Sequence, residues 1–136
     1  MENRRKFVLK VAAGMAATGF MYIPEQAFAS DVPMKNIFVH HVFFWLKDPN
    51  NPDGRKQFEK GLNQLITVPQ IQSSHIGTPV ESQREVVEDS FTYSYMAFFK
   101  SKEDQNIYQT HPIHLKFIED CQHLWKKVVV YDAMDF

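Results

Sequence analysis

The chain holds one cysteine among 136 residues, no basic cluster beyond its first ten residues and no long apolar run. Each scarcity excludes something. A lone Cys121 rules out an intramolecular disulfide and any multi-cysteine metal centre within one chain. It falls in an apolar helical pattern and reads as a core thiol. With 15 Lys and Arg against 16 Asp and Glu, the net charge is −1, so nucleic acid is not an expected partner. The modest apolar run near the start is interrupted by Lys10 and softened by Ala and Gly. It is too mild for a membrane span, which needs ~20 apolar residues. What the chain has in plenty is aromatic: 12 Phe imply more than one apolar surface to cover.

Residues 1–29 read as an export leader. Arg4-Arg5-Lys6-Phe7-Val8-Leu9-Lys10 resembles the twin-arginine signal. Ala27-Phe28-Ala29 makes a small-residue cleavage site, cut before Ser30. The alternative is an ordinary secretory leader whose basic start happens to be Arg-Arg. Either way an exported, periplasmic address is expected for one domain over residues 30–136, with no stable membrane insertion once the leader is removed. No cysteine lies near the cut, which excludes a lipoprotein.

Within the domain, Asn36 to Lys47 is rich in β-branched and aromatic residues and predicts a strand. A turn cluster follows, then Phe58, Leu62, Leu65 and Ile66 at helical spacing, with Asn51 or Asp53 as cap and Pro52 in the first turn. Ile71 to Val80 predicts a second, weaker strand and Phe91 to Lys100 the strongest one. Ser101 opens a helix that stops before His111-Pro112, and Pro112 suits the first turn of another. Leu115, Ile118, Cys121, Leu124 and Trp125 form that second stripe, and "KKVVVYDAMDF" closes the domain as a strand. The order β-α-β-β-α-β predicts a ferredoxin-like α+β sandwich: an antiparallel sheet with helices on one face.

The first strand is apolar on both faces. Ile37, Val39, Phe43 and Trp45 lie on one, Phe38, Val42, Phe44 and Leu46 on the other, and Met96 and Phe98 repeat the pattern in the third strand. Two helices cover one face only. A second copy is the expected cover for the other, giving a homodimer packed sheet to sheet.

"HHVFFWLK", "GRKQFEKGLNQL", "SYMAFFKSKED" and "YQTHPIHLKF" followed by "VVVYD" together resemble the stress-responsive A/B barrel (Dabb, dimeric α/β barrel) family over roughly residues 36–133. The resemblance implies βαββαβ protomers whose sheets pair in a dimeric barrel. A plant cyclase of the family works by aldol chemistry without metal or cofactor. Its catalytic Tyr and His align with Tyr108 and His114, a supporting His with His40, and a further active-site His with Tyr93.

The residues themselves permit the same chemistry. A His near its ordinary value can take a proton next to a carbonyl, and a Tyr hydroxyl can hold the enolate oxygen. On an unbroken helix Tyr108 and His114 would point about 120° apart, and the break at His111-Pro112 lifts that constraint. His111 sits where a cap belongs and reads as a corner residue. His40 and His41 point to opposite faces of their strand, and the resemblance favours His40 for the cavity. His40, His111 and His114 could form a three-histidine set, but their spacing is not diagnostic and no acidic partner is obvious, so neither metal nor cofactor is expected. The expectation is therefore a pocket, lined by His40, Tyr93, Tyr108 and His114, for a small, largely apolar carbonyl compound. Its owner would be a binding protein, a cofactor-free cyclase, isomerase or lyase with His114 as base and Tyr108 as oxyanion donor, or a purely structural or stress-linked dimer.

Overall fold

A computed structural model of the chain describes residues 33–136. The leader assigned to residues 1–29 and its cleavage point lie outside the described residues. Strand β1 runs Phe38–Leu46, helix α1 Pro52–Leu65, β2 Ser73–Gly77, β3 Tyr93–Phe99, α2 Lys102–Thr110, α3 Pro112–Cys121 and β4 Trp125–Met134, the last entered through a single 3-10 turn. The four strands form one antiparallel sheet in the order β2-β3-β1-β4. This is the ferredoxin-like α+β fold.

Local chemistry sets the element limits. Asn36, at φ 57, occupies the left-handed region that Asn tolerates better than most residues, and the chain straightens into β1 only after it. Asn51 Oδ1 accepts from the N–H groups of Asp53 and Gly54, and Pro52 fills the first position of α1, where a missing N–H costs nothing. Ser101 Oγ accepts from the Asp104 N–H and caps α2. Strand β2 is shorter than Ile71 to Val80, because its apolar alternation fails beyond Gly77 and the polar connection begins.

The period of two along β1 and β3 sends Phe38, Val42, Phe44, Tyr95, Ala97 and Phe99 into the core against Phe58, Leu62 and Leu65 of α1 and Phe117 of α3. Helices α1 and α3 meet at Gly61. A Cβ there would come within 2.5 Å of Cys121 Sγ, so only glycine permits the approach. The opposite face of β1 and β3, with Val39, Phe43, Trp45, Met96 and Phe98, stays partly exposed in the single chain.

Candidate functional site

The break between α2 and α3 is built by His111. Its backbone is extended (φ −63, ψ 138), its N–H bonds the Tyr108 carbonyl to close α2, and its Nδ1 accepts from the Ile113 N–H to open α3. One residue, through its backbone N–H and its side chain, thereby serves orphan groups of two helix ends. The turn brings the Tyr108 and His114 rings together at 4.6 Å between centroids. Strand β1 adds His40, 4 % exposed, with its ring 5.6 Å from that of Tyr108.

Hydrogen bonds orient each group. His114 Nδ1–H donates to the Gln109 carbonyl at 2.9 Å. A carbonyl can only accept, so the neutral ring carries its proton on Nδ1 and leaves Nε2 with a free lone pair. His40 Nδ1 lies 2.6 Å from Asp132 Oδ1, its register partner in β4. Tyr95 donates its hydroxyl proton to the Tyr108 oxygen at 3.3 Å, which leaves the Tyr108 proton available to a further acceptor.

Burial tunes these groups in a useful direction. It lowers the His114 pKa below the ordinary His value, the hydrogen bond to Gln109 opposes the shift, and His40 adds to it. The ring is therefore neutral near pH 7. Burial, with Tyr95 alongside, holds the Tyr108 hydroxyl far above its usual range. Tyr95 is pushed up to about 12, again by burial. Both phenols stay protonated, so they donate and do not act as bases.

His40, Tyr95, Tyr108, Gln109 and His114 border a cavity of about 160 Å³ whose walls are otherwise apolar: Val42, Phe44, Leu65, Phe117, Ile118 and Trp125. Val128 and Val130 of β4 stand at its margin, 42 % and 46 % exposed. An apolar cavity of about 150 Å³ takes up benzene in another protein, so one small ring or a short branched chain fits here. Among the described residues, no Lys or Arg borders the cavity to neutralise a substrate carboxylate.

Of the four residues expected in the pocket, the fold gathers His40, Tyr108 and His114. Tyr93 is a correction. It shares the helix-side face of β3 with Tyr95 but lies two residues earlier, roughly 7 Å along the strand, so it meets α1 instead of the α2–α3 break. There its hydroxyl donates to Glu59 Oε1 at 2.6 Å, Arg55 sits 4.8 Å above its ring, and burial and Glu59 raise its pKa. His111 borders no part of the cavity. Two participants escaped the sequence reading, Tyr95 and Asp132. The signal for Asp132 was present in the alternation Val128, Val130, Asp132, which puts the carboxylate on the cavity side once β4 is paired with β1. Among the described residues, no three His, Cys, Asp or Glu side chains gather as a metal site requires.

A family model described as the stress responsive A/B barrel domain matches residues 38–135. The chain is 25% identical over 100 residues to a stress-response A/B barrel domain-containing protein of Arabidopsis thaliana, covering 73% of this chain and 47% of that protein. It thus spans about half the length of that relative. Among solved structures it resembles the hydroxynitrile lyase of Passiflora edulis, with a TM-score of 0.64 and 24% identity over 76% of this chain and 96% of the lyase. It also resembles a dimeric ferredoxin-like protein of unknown function from Thermobifida fusca, with a TM-score of 0.60 and 16% identity over 79% and 99% of the two chains. At these identities the two structures speak for the fold alone.

Proposed function

Because this chain belongs to the stress-responsive A/B barrel domain family, and its helix break gathers acid–base groups around an apolar cavity, we propose that it binds a small, uncharged carbonyl compound and moves a proton next to the carbonyl. One observation carries the reading: the free Nε2 lone pair of His114 and the free hydroxyl proton of Tyr108 belong to rings 4.6 Å apart at one cavity. The substrate oxygen accepts from Tyr108, and His114 Nε2 takes the proton from the adjacent carbon. Tyr108 then holds the negative charge on the enolate oxygen, where a pre-aimed donor is worth several kcal/mol, on the order of 3. The enolate closes on a second carbonyl, expels a leaving group or is reprotonated, which covers cyclase, lyase and isomerase outcomes. His40, held by Asp132 with its ring 5.6 Å from that of Tyr108, is a second proton carrier.

The test is proton–deuterium exchange at the carbon next to the carbonyl for a panel of small ketones and aldehydes in D₂O, followed by NMR. The protein should accelerate exchange of at least one member. His114→Ala should slow it by about a hundredfold or more, and Tyr108→Phe comparably. Binding shifts in the protein spectrum with no acceleration for any member would leave a binding protein and refute the proton transfer.

Two further elements belong to the same proposal. The protein acts as a homodimer covering the apolar outer face of the sheet; dimers are described for relatives of the same fold. The leader over residues 1–29 directs it through the twin-arginine route to the periplasm.

A further inference from the structure

The face of the sheet away from the helices carries a second histidine cluster, which the proposed chemistry does not use. His41 of β1 and His75 of β2 flank Met96 of β3 in one row of the register, with Tyr131 of β4 beyond His41. His41 Nε2 lies 2.8 Å from Ser94 Oγ, and its ring is 4.2 Å from that of Phe43. The His75 ring folds over Gly77, where an added Cβ would lie 2.9 Å from it, and Gly77 is the register partner of Ser94. Of the two imidazoles, His41 bonds Ser94, while His75 lies across Met96 from it.

The surroundings of these rings are mostly apolar. Val39, Phe43, Trp45, Met96, Phe98 and Val129 make the face apolar. Its charged groups are Lys127 of β4, 4.4 Å over the Trp45 ring, and Glu88 of the loop before β3, which borders the hollow beside them. Tyr131 adds a phenol. Among the described residues no carboxylate pairs with His41 or His75. Partial burial, then His75, then His40 hold the His41 pKa below its ordinary value already in the single chain.

We infer that assembly of two copies through this face is proton-linked: His41 is neutral against the second copy, and its protonation separates the protomers. This rests on the dimer reading above. A neutral imidazole can leave water with one hydrogen bond to Ser94, whereas an imidazolium without a carboxylate cannot do so cheaply. His41 thus binds its proton less well in the dimer than in the free protomer. The free protomer takes up more protons, so the contribution to association is full above about pH 6.5 and is lost as pH falls through and below that value. A one-unit lowering is tenfold in the equilibrium, and two symmetry-related copies of His41 make it about a hundredfold.

Sedimentation of the protein at about pH 8 and about pH 5.5 tests this. The dimer should be tight at the higher pH, with a dissociation constant at least about tenfold weaker at the lower one and the far-UV circular dichroism intact. The double variant His41→Gln with His75→Gln should stay equally dimeric at both. A wild-type dimer equally tight at both pH values overturns the linkage while leaving the dimer standing, as does a double variant that weakens like the wild type. Unfolding at the lower pH also counts against it, since the protons would then act on folding. A monomer at both pH values overturns the dimer reading itself, and the linkage with it.

Discussion

His114 is useful as a base only because its Nδ1 proton is tied to Gln109, and that bond crosses from one helix to the other. Since burial lowers its pKa, the ring is neutral at higher pH and protonates only below the ordinary value near 6.5. The acid limb of kcat/KM against pH, which reports the free enzyme, should accordingly have its midpoint below about 6.5. A midpoint at or above it would mean that a different group serves as base. In the proposed chemistry Asp132 would act through His40, out of contact with the substrate, as a positioning residue. Asp132→Asn should cut kcat/KM by up to about a hundredfold, mainly in kcat, and alter the acid limb while the circular dichroism is unchanged. A merely structural role would lower the melting temperature and leave the profile's shape alone. The residue type and place of Tyr108 and His114 were readable from the motif. The choice of nitrogen, and the roles of Tyr95 and Asp132, depend on partners distant in the chain.

At the scale of elements, the break between α2 and α3 is the part most legible in sequence. A proline inside an apolar helical stripe ends one helix and starts another, and the histidine before it has the side chain to cap. His111 does so, accepting from Ile113. His111→Ala should therefore cost about 1 kcal/mol in denaturant unfolding, and His111→Asn should recover most of it. An alanine variant as stable as the parent would show that water satisfies the helix end equally well. The break also explains why Tyr93 misleads. Counting along β3 shows which residues share a face, but not which helix lies over each of them. That depends on where α1 and α3 cross, and the crossing is set by Gly61 against Cys121.

For the whole molecule, the double-sided apolar pattern of β1 and β3 follows from composition, and the helices cover only the side bearing Phe38, Val42, Phe44, Tyr95 and Phe99. The outer side is the surface on which assembly, and its response to pH, would be decided. The proposed export concerns the chain as a whole as well. Replacing Arg4 and Arg5 together by Lys should leave the protein in the cytoplasm of a host that has both export routes, as fractionation and blotting would reveal. Undiminished export would point to the general secretory route.

The order of strands and helices, the capped ends at Ser101 and His111, and the two apolar faces are all local or periodic properties, and the sequence by itself determined them. Each depends on residues within a few positions of one another, where sterics and short hydrogen bonds decide. The tertiary structure alone decided that Asp132 meets His40, that Tyr95 and not Tyr93 reaches Tyr108, and that His41 meets Ser94. Those pairings join different elements of the fold. Their register is chosen by which side chains can be buried together, a quantity that exists only once the sheet has closed.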